Sequence, residues 1–76
     1  MIDHESGTPV YMQLAEIIAA QIADGEFAPD RPIPAETRLA AEYGVARLTA
    51  RRAVRELRER GLVKTVQGRG TFIVER

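Results

Sequence analysis

The sequence has no cysteine and only one histidine, His4. Without cysteine there is no disulfide framework and no thiolate metal site. With one histidine near the N-terminus, no nucleophile has a base beside it, and the carboxylates are spread over helix surfaces. No glycine-rich phosphate loop follows a strand, because the sole Gly-Arg-Gly falls at the tip of an expected hairpin. An enzyme is therefore not expected, nor a metal or a cofactor. No run of 18 apolar residues occurs, so no membrane-spanning helix is expected. The opening "MIDHESGTPV" is acidic and polar, unlike a secretory signal. The chain reads as cytoplasmic. Its 76 residues suit one domain, in which roughly 60% of the unfolded surface is buried.

Net charge is also missing: eleven basic residues balance eleven acidic ones. The distribution is uneven, however. Residues 1–46 carry two bases (Arg31, Arg38) and eight acids, net −6, whereas residues 47–76 carry nine bases and three acids, net +6. Such an asymmetry suggests a nucleic-acid face. A salt-bridged interface between the halves would give the same count.

Apolar spacing organises the rest. Thr8 is the expected cap of a first helix over about 9–24, with Pro9 at its first position. Val10, Leu14, Ile17, Ile18 and Ile22 repeat at helical spacing, with Gln21 at the edge of the stripe. "EFAPDRPIP" holds three prolines and reads as a loop. A second helix is expected over about 35–43, with Leu39, Ala40 and Tyr43 inward and Gly44 ending it. A third follows at once, over about 47–60, closed by Gly61. Strand formers in 62–66 and 71–74 flank Gln67-Gly68-Arg69-Gly70, the pattern of a hairpin.

On the third helix, at 100° per residue with Arg47 at zero, Ala50, Ala53, Val54 and Leu57 fall between about 240° and 340°. Arg47, Arg51, Arg55 and Arg58 fall between about 0° and 80°. One side packs, and another projects guanidiniums. Arg47, Arg51 and Arg52 crowd the first turns, where a cation opposes the helix dipole at about 0.3–1 kcal/mol each. Only Glu56 and Glu59 on the same helix offset them, both toward the wrong end. An incoming anion would explain the arrangement, as would a solvated arginine-rich face.

Two helices joined by a short glycine turn form a helix-turn-helix, whose second helix enters the DNA major groove. Arg47, Leu48, Thr49 and Arg51 then stand where base edges are read. Arginine suits guanine O6 and N7. Thr49 suits a phosphate or a thymine methyl. Leu48 suits a thymine methyl, or else covers the core. The hairpin becomes a wing: Gly68 and Gly70 allow close approach to the sugar-phosphate wall, and Arg69 reaches the minor groove. A hairpin loop needing glycine for its geometry alone would look the same.

The run from Pro34 to Arg76, "PAETRLAAEYGVARLTARRAVRELRERGLVKTVQGRGTFIVER", resembles the winged helix-turn-helix domain of the GntR family of bacterial transcription regulators. The upstream "PVYMQLAEIIAAQIADGEF" extends the likeness over nearly the whole chain, and "TVQGRGTFI" is most similar to the HutC-type branch. The resemblance implies an α+β fold of three helices and a C-terminal hairpin wing, spanning 1–76. It implies sequence-specific binding of double-stranded operator DNA as a homodimer, in most cases for repression, with no membrane. Dimerisation and effector binding would belong to a domain absent from these residues.

By the same resemblance Arg47 and Arg51 match base-reading arginines, Thr49 a groove or phosphate contact, and Gln67, Gly68, Arg69 and Gly70 the wing tip. Arg52 would hold the backbone. Thr37 stands where the family has a DNA-contacting arginine, with Arg38 beside it. Ala35 and Ala46 replace the usual serine or threonine caps, and Arg38 replaces the acid of a capping box, at about 1 kcal/mol per lost cap. The rival reading is a winged-helix interaction module whose basic face meets an acidic protein.

Overall fold

A computed structural model of the protein describes residues 2–74. Three helices, α1 (Val10–Ala23), α2 (Glu36–Tyr43) and α3 (Arg47–Glu59), precede an antiparallel hairpin, β1 (Val63–Val66) and β2 (Gly70–Ile73). The hairpin register pairs Val63 with Ile73 and Val66 with Gly70.

The third helix is the hub, packing against α1, α2 and β1. Its buried residues are Ala50, Ala53, Val54 and Leu57, the stripe its periodicity predicts. From α1 come Leu14, Ala15 and Ile18, and from α2 Leu39; Val63 and Ile33 complete the core. Arg60, at the end of α3, fastens that end to α1. Its guanidinium donates to Glu16 Oε1, to Glu56 Oε2 (2.8 Å) and to Met12 Sδ (3.1 Å). The hydrogen bonds to Glu16, then Glu56, raise its pKa above the ordinary arginine value. This cation is spent on the fold.

Two local expectations change. Thr8 does not cap α1; Pro9 is the N-cap, with extended backbone (φ −55°, ψ 145°) and no side-chain cap bond. Its carbonyl accepts from the Met12 and Gln13 amides, and proline needs no partner for an N–H it lacks. Gln13 takes over the fastening of the preceding segment. Its Nε2 donates to the Asp3 and Thr8 carbonyls (both 2.8 Å), while its Oε1 accepts from the Asp3 amide (2.7 Å).

The second change is in the proline-rich loop. The Ile33 amide donates to the Thr71 carbonyl (2.8 Å), and Pro32 bridges Phe72. The loop thus adds an isolated β-bridge to the free edge of the two-stranded β1–β2 sheet. A lone isoleucine between two prolines has no periodicity, so the sequence gives no strand signal there.

Gly70 serves this contact. Its φ is 122°, and a Cβ at this position would lie 3.0 Å from Pro32 Cβ. Gly70→Ala therefore meets both backbone strain and a clash. It should destabilise the domain by about 1–3 kcal/mol, measured by urea unfolding. A change within about 0.5 kcal/mol, typical of ordinary surface positions, would show that the loop and wing do not press on one another.

Candidate nucleic-acid interface

The turn between α2 and α3 fixes the interface. Gly44 takes a left-handed conformation (φ 66°, ψ 38°), and the Val45 amide then reaches back to the Ala40 carbonyl (3.0 Å). Only Val45 and Ala46 separate this glycine from α3, so the second helix leaves at a fixed angle. Neither α2 nor α3 has a side-chain cap, as Ala35 and Ala46 imply.

A solvent-open groove of about 520 Å³ lies between the start of α2, the first turns of α3 and the wing. Glu36, Thr37, Arg47, Arg51, Arg69 and Gly70 line it. Three guanidiniums from two elements thus share one concave surface, a focused positive field of the kind that draws anions. Arg47 and Arg69 are exposed and pair with no carboxylate among the described residues.

Arg51 departs from the expectation of an outward arginine without an internal acid. Its Nε donates to Glu36 Oε1 at 3.2 Å. The two side chains keep 54% and 32% of their exposure, so the pair sits at the surface, and both Nη groups of Arg51 remain to be used. Charges counted along α3 alone missed this acid, which comes from the neighbouring helix. The signal available was Glu36 in Pro34-Ala35-Glu36, the acid that opens α2.

The other cations divide. The Arg52 guanidinium lies over the Tyr11 ring of α1, 4.0 Å from its centre, and the side chain is exposed. Arg58 Nη1 donates to Thr65 Oγ1 (3.0 Å), and that hydroxyl lies 3.1 Å from Thr71 Oγ1, so this guanidinium ties α3 to both wing strands. Arg38 and Arg55 form i,i+4 pairs with Glu42 (4.0 Å) and Glu59 (3.7 Å), both well exposed. Two ion pairs, Arg51–Glu36 and Arg60–Glu16, join the acidic and basic halves. The charge asymmetry is thus partly internal, and Arg47 and Arg69 lie outside it.

Leu48 does not cover the core: at 69% exposure it is the exposed large apolar side chain among the described residues, one position after Arg47. Thr49 is half-buried, and Thr37 and Arg38 are exposed on α2. At the wing, Gln67, Gly68 and Arg69 form the turn, closed by the Arg69 amide on the Val66 carbonyl (2.9 Å). Gly68 (φ 79°) has nothing within 4 Å of a notional Cβ, so the tip is open to a neighbour. Among the described residues, no group of three or more His, Cys, Asp or Glu could hold a metal ion, and no helix is long and apolar enough to cross a membrane.

A sequence model of the gntR family of bacterial regulatory proteins matches residues 10–73. The chain belongs to the GntR family. The transcriptional repressor NagR of Bacillus subtilis is 40% identical over 72 residues, covering 95% of this chain and 30% of NagR. A histidine utilization repressor of Pseudomonas aeruginosa is 38% identical over 71 residues, 93% of this chain and 28% of that protein, in keeping with the HutC-type branch. This GntR domain spans about 30% of the length of such relatives.

Among solved structures, the DNA-binding domain of AraR in complex with operator ORR3 is 39% identical. It matches at a TM-score of 0.83 over 97% of this chain and 89% of that one. YtrA of Sulfolobus acidocaldarius, a GntR-family transcription factor, is 37% identical with a TM-score of 0.89, over all of this chain and 80% of YtrA. The expected winged helix-turn-helix is the fold of this GntR domain.

Proposed function

We propose that the domain binds double-stranded operator DNA as the sequence-reading part of a bacterial transcription repressor. The third helix lies in the major groove and the wing tip in the adjacent minor groove. The observation that carries this is the groove shared by Arg47, Arg51 and Arg69, beside a helix whose other face is sealed into the core. Arg47 and Arg51 read guanine edges, with Thr49 and Leu48 beside them on the first turn. Thr37 and Arg38 at the start of α2, and Arg52 above Tyr11, hold the phosphate backbone, which fixes register and carries most of the affinity. Gln67, Gly68, Arg69 and Gly70 form the minor-groove probe. The repressor acts as a cytoplasmic homodimer, with dimerisation through a part of the protein outside these residues. The role needs no catalysis.

The test is a salt series of fluorescence anisotropy on duplexes enriched from a random pool. A single small module buries only about 600–1,000 Å² on DNA. The 76-residue chain should therefore bind weakly, with a steep loss as salt rises. Nanomolar binding by a proven monomer at physiological salt contradicts this. Arg52→Gln should weaken enriched and scrambled duplexes alike and flatten the log–log salt slope by about 1. No enrichment, together with salt-sensitive capture of an acidic protein, would return the basic face to the interaction-module reading.

A further inference from the structure

We propose that Glu36 is a specificity-determining positioning residue. It orients Arg51 and keeps phosphate out of the groove, so that the groove discriminates bases instead of binding DNA at large. This rests on the DNA-reading proposal above and adds a role for the carboxylate in the groove wall.

The geometry is particular. Glu36 stands in the first turn of α2 and holds Arg51 by Nε, the side nitrogen of the guanidinium (3.2 Å). That choice leaves the paired Nη groups as the free end of the fork. Two parallel N–H donors at that end suit the two acceptors of a guanine edge. A guanidinium without this restraint samples many rotamers, and ordering it on the base would weaken binding.

The electrostatics point the same way. The groove contains three guanidiniums and opens beside the start of α2, where unpaired amides also favour an anion. Such a cavity with no carboxylate accepts a phosphate from any sequence. With Glu36 in its wall, a phosphate meets a like charge, whereas a base edge, uncharged and rich in acceptors, does not. The acid therefore penalises the wrong partner more than the right one.

A structural role for Glu36 must be separable, because an acid in the first turn also suits the dipole of α2. Glu36→Gln keeps an oxygen for Arg51 Nε and removes only the charge. Its affinity for a scrambled duplex should rise about two- to fivefold, the scale of one exposed charge pair. The salt slope on that duplex should steepen by about 0.9, and the ratio of enriched to scrambled affinity should fall. Glu36→Asp keeps the charge and shortens the reach. It should leave scrambled-duplex affinity and slope at wild-type values while the ratio still falls.

Thermal melts check that both variants fold. An unchanged ratio in both overturns the inference. So does equal weakening on both duplexes with no change of slope, the pattern of a helix-stabilising acid. A wild-type pool that yields no preferred duplex instead defeats the DNA-reading proposal, and this inference falls with it.

Discussion

Arg47→Ala should cut affinity for an enriched duplex by about 5- to 150-fold, the equivalent of losing one bidentate guanine contact of about 1–3 kcal/mol. A scrambled duplex should lose far less, since only one backbone-attracting charge has gone. The same substitution should leave the fold slightly more stable. Arg47 is the first residue of α3, where no acid stands in the first turn to offset it. Removing an uncompensated cation there relieves about 0.3–1 kcal/mol. Weaker specific binding by a more stable protein is a pair of signs that general unfolding cannot produce. Anisotropy on the two duplexes and urea unfolding of the same sample would measure both. Equal loss on the two duplexes would remove Arg47 from base reading.

The largest stability effect is expected at Leu57, fully buried at the centre of the core. Leu57→Ala removes packing that α3 shares with the rest of the core, at a cost of about 2–5 kcal/mol. At about 0.05–0.15 kcal/mol per residue, a chain of 76 residues has only about 4–11 kcal/mol to lose. A domain at the low end of that range would be largely unfolded at 37 °C, and one at the high end would keep its fold with a reduced margin. The melting temperature should fall by about 8–40 °C, taking about 4–8 °C per kcal/mol. Calorimetry would register this. A fall of less than about 5 °C would mean that the site collapses around the missing methyls.

Strong local periodicity made α3 legible. Four buried residues at helical spacing and a glycine at each end left few alternatives, and the structure buries those four. The start of α1 moved by one residue because a proline with extended ψ is a sufficient helix entry without the Thr8 hydroxyl. Ile33 stayed hidden for a different reason. It reaches the core through one hydrogen bond to β2, a contact between residues 38 positions apart that local pattern does not encode.

The arginines were legible as a set but not one by one. A helical projection places Arg47, Arg51 and Arg58 within about 40° of each other. The structure then gives one to the groove, shares one with Glu36 and turns one toward Thr65. What separates them are acceptors on other elements, which lie outside any single-helix projection.

The seating of Pro32 on Gly70 gives the linker before α2 an unexpected job. Surface linkers in small domains are ordinarily where insertions do least harm. Here one extra residue between 24 and 32 would displace the proline that lies against Gly70 and bridges Phe72 of β2. The length of that linker thus helps set where the hairpin stands relative to the start of α2, so lengthening it would shift the wing without substituting any residue of the hairpin.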